Sequence, residues 1–146
     1  MPKKTKFLGI KRKILTVSGK RKKAIAKATI KEGTGKVILN QKPLEVFNTF
    51  QSLALKEPLL LAKDVLGDQL FSVDVDIVVH GGGSESQIEA ARLALSRSLV
   101  AWFKEANLKN TFLKYDRMLL VADTRRKESR KPNDSKARAA RQKSYR

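Results

Sequence analysis

Residues 71–105 read FSVDVDIVVHGGGSESQIEAARLALSRSLVAWFKE, and their patterning sets the fold. Over the first ten, Phe71, Val73, Val75, Ile77 and Val79 fall on one face and Asp74 and Asp76 on the other, the period-two alternation of a half-buried strand. Gly81, Gly82 and Gly83 end that pattern. From Ser84 to about Glu105 the period becomes helical, with Ile88, Ala91, Leu95, Leu99 and Trp102 on one stripe and Phe103 beside it. A strand passing through a glycine turn into a long amphipathic helix predicts a sheet with helices packed on it.

Upstream, ILTVSG (14–19) and AIAKATIKEG (24–33) read as two strands, with Ile14, Val17, Ile25, Ala28 and Ile30 as inward positions and Gly19–Lys23 as a basic turn between them. In GTGKVILNQKPLEVF (33–47), the Gly33–Gly35 connection predicts an antiparallel hairpin onto a short strand, Lys36–Leu39. Asn48 or Thr49 then caps a helix through Phe50, Leu53, Ala54 and Glu57, with a break or kink at Pro58 before Leu59–Leu61, Val65 and Leu66. Downstream come an amphipathic piece, Leu108–Tyr115, and the apolar RMLLVADT (117–124). The order β-β-β-α-β-α-α predicts an α+β fold, a two-layer sandwich of helices on a mostly antiparallel sheet. The expected organisation is a basic N-terminal extension (1–13), a globular domain (14–123) and a long basic C-terminal tail (124–146).

At 146 residues and 41% hydrophobic, the chain can bury one modest core. It has no cysteine and one histidine, His80, which excludes disulfides and thiolate metal sites and disfavours a histidine triad. No 18-residue apolar run exists and the first residues, Met1 to Lys6, form no hydrophobic signal region; the expectation is a soluble, cytoplasmic protein with no membrane partner. The net charge of +18 is unevenly placed: residues 1–36 carry +12, residues 37–116 carry −2 and residues 117–146 carry +8. From Arg125 to Arg146 there are ten Lys or Arg against Glu128 and Asp134, and Tyr145 is the only large apolar side chain. Such a tail has no core to fold around. A polyanion would neutralise that charge, and nucleic acid is the commonest inside cells; the alternative is a solvated tail that serves solubility or targeting.

The motifs point the same way. GTGK (33–36) lacks the spacing of a P-loop. HGGGSES (80–86) follows a strand and opens a helix like a dinucleotide fingerprint, but Ser86 stands at the third glycine and Glu85 sets a negative charge where a pyrophosphate would lie. The three glycines instead permit a sharp turn and a close approach of RNA backbone to helix N–H groups. Asp74 and Asp76 share a strand face without a third ligand or base, so no cofactor, metal or enzymatic role is expected. Few aromatics accompany the basic segments, so backbone and shape contacts should outweigh base stacking. An architectural DNA-binding protein shares the charge, but the tail has no Phe, Leu, Ile or Met to intercalate. A nucleotide-dependent enzyme would need a phosphate loop and a general base.

Three ordered motifs, GKRKKAIAKATIKEGTGKVILNQKPLE (19–45), HGGGSESQIEAARLALSRSLV (80–100) and DTRRKESRKPNDSKARAARQKSYR (123–146), resemble the family of the universal ninth protein of the small ribosomal subunit. The Gln142–Arg146 ending resembles its archaeal and eukaryotic branches. Ser86 departs from the family's usual glycine, and residues 1–13 extend beyond its common core. The resemblance implies a left-handed β-α-β crossover, against the usual handedness. It implies binding to the 3′ major (head) domain of small-subunit ribosomal RNA, neighbouring ribosomal proteins as partners, and a tail reaching the anticodon stem-loop of the peptidyl-site transfer RNA. By position, Arg146, Tyr145 and Lys143 would meet that transfer RNA. Arg125, Arg126, Lys127, Arg130, Lys131, Lys136, Arg138 and Arg141 would hold ribosomal RNA, with Lys20, Arg21, Lys22 and Lys23 and the Gly81–Gly83 loop as contacts on the domain. The tail should be extended, with one short helix near Lys136–Ala140.

Overall fold

The computed structural model describes residues 13–132 and 136–139. In chain order the elements are β1 (Ile14–Arg21), β2 (Ala24–Glu32), β3 (Val37–Leu39), β4 (Lys42–Pro43), α1 (Thr49–Leu66), β5 (Val73–His80), α2 (Ser84–Phe103) and α3 (Ala106–Tyr115). The five strands form one sheet in the order β1-β2-β5-β3-β4, antiparallel except for the β3–β5 pair. This is the α+β sandwich that the alternation and helical periods predict.

Strand parity decides which side chains are buried. Ala24, Ala26, Ala28 and Ile30 lie under the helices at 0% exposure. Their β1 partners, Gly19, Val17 and Leu15, share that face. Ile14 and Ile25, expected inside, have the opposite parity and stand 62% and 43% exposed on the uncovered face. Their size argued for burial, but a strand cannot turn neighbours i and i+1 to one side. Small residues are inside because α2 lies close across β1 and β2, setting Ala90, Ala91 and Ala94 against the strand alanines. A Cβ at Gly19 would overlap the Ala90 carbonyl oxygen and come within 2.7 Å of the Ala94 nitrogen.

In β5, Val73, Val75, Ile77 and Val79 are buried, as their alternation predicts. Phe71 instead belongs to a 3-10 turn, Gly67–Ser72, and is half-exposed. The Gly33–Gly35 connection does not make a hairpin. β5 inserts between β2 and β3, matching β2 along eight residue pairs where a three-residue β3 could offer few. The loop is fastened across the start of β5: Gly33 N–H donates to the Ser72 carbonyl, and the Thr34 and Lys36 amides donate to Asp74 Oδ1 at 2.8 and 2.9 Å. A side chain at Gly33 would collide with that carboxylate. β3, α1 and β5 thus form the β-α-β crossover of the fold.

α1 runs unbroken through Pro58, contrary to the expected break. Pro58 forfeits one bond to the Ala54 carbonyl but is itself buried, on an inner stripe with Ser52, Leu55, Ala62 and Leu66. Phe50 and Leu53 point outward, 82% and 56% exposed. The basic turn is shorter than expected, because β1 continues to Arg21 and only Lys22 and Lys23 turn. After α3, Leu119 in a 3-10 turn is the last fully buried side chain among the described residues. From Leu120 on, the described chain has no helix or strand. Lys136–Ala139 makes one turn, closed by Ala139 N–H to the Lys136 carbonyl at 3.3 Å, in place of the short helix expected; Ala140 lies outside the described residues.

Candidate nucleic-acid interface

Two tight turns meet at one end of the sheet. Lys22 takes a left-handed conformation (φ 50°) at the β1–β2 turn, and Gly81 and Gly82 are left-handed in succession (φ 73° and 70°) between β5 and α2. Only glycine fits the second turn, for conformational and packing reasons together. A Cβ on Gly81 would stand 2.7 Å from the Lys23 carbonyl oxygen, and one on Gly82 would stand 2.9 Å from Ala24 Cβ. The contact sets Lys22 and Lys23 beside Gly83 and the N-terminus of the 20-residue α2, whose backbone dipole adds positive potential. Glu85, in the first turn of α2, is directed toward α1, where its Oε1 accepts from Gln51 Nε2 at 2.9 Å.

The start of the tail is fixed to the same place by ion pairs. Arg21 bonds Glu89 on α2 at 2.5 Å through Nε, and its buried Nη1 lies 2.8 Å from Asp123 Oδ2 without hydrogen-bond alignment. Asp123, its side chain only 6% exposed, accepts from the Arg125 amide at 2.8 Å and from Arg125 Nη2 at 2.6 Å. Those Arg125 side-chain and backbone bonds, with Arg21 nearby, hold the Asp123 carboxyl far below the ordinary carboxylate range. Arg97 of α2 donates to the Leu120 carbonyl at 2.8 Å and to the Ser18 carbonyl at 3.2 Å. Arg92 pairs with Glu57 on α1 at 2.6 Å and with Asp116 at 3.2 Å. Three arginines on β1 and α2 therefore hold residues 116–125 against the domain.

The result is a groove of about 720 Å³ lined by Lys22, Lys23, Gly82, Gly83, Ser86, Arg125, Arg126 and Lys127. Five cations from two distant segments line it with no acid among them. Cations, backbone amides and one hydroxyl suit phosphate rather than bond breaking.

Of the residues singled out from sequence, Lys22, Lys23, Gly82, Gly83, Arg125, Arg126 and Lys127 converge here, with Gly81 shaping the turn. Lys20 lies on the open sheet face in the row of Ile25 and His80. Arg21 faces inward to its acids and positions the tail. Arg130, Lys131 and Lys136 are exposed beyond the groove. Arg138, also exposed, makes a two-bond pair with Glu128 at 2.9 and 2.5 Å. Arg141, Lys143, Tyr145 and Arg146 lie outside the described residues. Asp74 is occupied by the Lys36 and Thr34 amides, which lower its pKa, so it makes no reactive pair with Asp76. Sequence reasoning overlooked Glu89, Arg97 and Asp123; Asp123 left a trace, a lone acid at the root of a cationic run.

Among the described residues no cluster of His, Cys, Asp and Glu could hold a metal, and no helix is long and apolar enough to cross a membrane. Residues 19–146 match the family described as ribosomal protein S9/S16. The chain is 47% identical over 137 residues to the small ribosomal subunit protein uS9 of Methanococcus vannielii, covering 92% of this chain and 99% of that one. It is 48% identical to the protein of that name from Methanococcus maripaludis, with the same coverage. The chain therefore belongs to the S9/S16 family, as a structural, non-enzymatic constituent of the small subunit of the cytoplasmic ribosome, serving translation.

Proposed function

We propose that the cationic groove docks the backbone of the 3′ major (head) domain of small-subunit ribosomal RNA. The tail then carries Lys143, Tyr145 and Arg146 to the anticodon stem-loop of the peptidyl-site transfer RNA. The observation that carries this reading is the convergence of Lys22, Lys23, Arg125, Arg126 and Lys127 on the glycine turn at the start of α2. RNA phosphates supply counter-charge for Lys22, Lys23, Arg126 and Lys127, Arg125 being already paired with Asp123, and a coreless tail orders on that support. Beyond Lys131, 15 residues remain, a reach of up to ~50 Å if extended. That length takes basic residues where a folded domain cannot go.

The test is the salt-dependent affinity of the purified chain for a 3′ major-domain RNA fragment, beside equal-length unrelated RNA and duplex DNA. A preference for the ribosomal fragment that persists at high salt is expected. Equal, steeply salt-sensitive binding to all three would overturn the docking reading and leave a simple polycation.

A further inference from the structure

Away from the cationic groove, an open trough of about 250 Å³ lies between α1 and the start of β5, with walls from Val37, Leu59, Leu60, Phe71 and Leu99. Leu60 is 62% and Phe71 51% exposed, so large apolar side chains meet solvent at its mouth. Lys56 and Lys63 line it too, with no acid, and among the described residues neither forms an ion pair.

The geometry points to a docking site for a segment of another protein that inserts a large apolar side chain between carboxylates. Carbon walls would strip water from RNA phosphate without offering backbone amides or an arginine fork in return. They suit a Leu, Phe or Met side chain, since a cavity of about 150 Å³ already admits a benzene ring. The lysines stand seven residues apart on one helix, ~10 Å along its axis, so their carboxylate partners lie two helical turns or about three strand residues apart. A second copy would bring the same lysines against each other. Residues 1–12 of this chain carry five cations and no acid, and would be repelled. The assignment stands whether or not the groove meets RNA as proposed.

The test places p-benzoylphenylalanine at Leu60 in the full chain within small ribosomal subunits, where its exposed position spares the core. The photoadduct is then digested with nuclease and protease and sequenced. The expected product is nuclease-resistant and joins Leu60's position to another protein, at a peptide with Asp or Glu within four residues of the attachment point. Lys56→Glu with Lys63→Glu should lower its yield at least fivefold at equal incorporation into subunits. An RNA adduct, an adduct to a second copy, no adduct, or a yield indifferent to charge reversal would overturn the proposal.

Discussion

Replacing Gly19 by alanine tests how tightly α2 is drawn onto the sheet. The new Cβ would overlap the Ala90 carbonyl and stand 2.7 Å from the Ala94 nitrogen, both backbone atoms of a helix whose residues cannot yield singly. Relief requires α2 to lift or β1 to shift, and either opens the alanine contact between them. Overpacking of this kind costs about 1–3 kcal/mol. Gly19 is not among the positive-φ residues, so alanine also gains roughly 0.4–1 kcal/mol by restricting the unfolded chain. The net expectation is a loss of about 1–2 kcal/mol. With an unfolding entropy of about 2.1 cal/mol/K per residue over residues 13–132, that loss lowers Tm by about 4–8 °C. Calorimetry beside Ser18→Ala supplies the control, because Ser18 is exposed and should change stability by less than about 0.5 kcal/mol. A Gly19→Ala protein as stable as the parent would refute the close packing.

Acid should unfold the domain through two carboxylates. Asp74 and Asp123 are both held below their ordinary range when folded, so the unfolded chain takes up protons first. Their contribution is full above about pH 5 and drains away as pH falls through about 4 toward the folded values. Asp74→Asn with Asp123→Asn should flatten stability between about pH 5 and 3 in denaturant titrations; an undiminished slope contradicts the assignment. Deleting residues 125–146 should flatten the salt dependence of RNA binding, six lost phosphate contacts reducing the log–log slope by about 4–5. An unaltered slope would mean the tail is idle on isolated RNA. Removing Lys143–Arg146 should leave subunit assembly intact and weaken peptidyl-site transfer-RNA binding on purified subunits; unchanged affinity contradicts the reach proposed for the tail.

What the sequence discloses divides along physical lines. Val73 to Val79 is legible because period-two alternation depends only on the strand itself, and α2 is legible because its stripe, Ile88 to Trp102, spans about four turns. Ile14 and Ile25 mislead because size suggests burial, while the strand turns alanines inward to admit a close helix. The Gly33–Gly35 loop misleads because adjacency in sequence suggests a hairpin, while β2 gains more pairing from β5. Pro58 breaks nothing, since its ring fills the inner stripe of α1. At the site, Lys22, Lys23, Gly82, Gly83 and Arg125–Lys127 are each visible as charge or glycine. Their convergence is a tertiary fact, set by Gly81 and Gly82 against Lys23 and Ala24 and by Asp123 between Arg21 and Arg125. No spacing along the chain encodes it.

The central claim is that a located groove, rather than charge at large, meets RNA. The most direct measurement compares Lys22→Gln/Lys23→Gln/Lys127→Gln with Lys27→Gln/Lys31→Gln, which alters exposed lysines on the open sheet face. Affinity for the 3′ major-domain fragment is followed from 50 to 200 mM salt. The groove variant should lose about 2–3 from the log–log slope, at roughly 0.7–0.9 per phosphate, while the sheet-face variant keeps the parent slope. Slopes that fall by the same amount per lysine in both variants would contradict the groove.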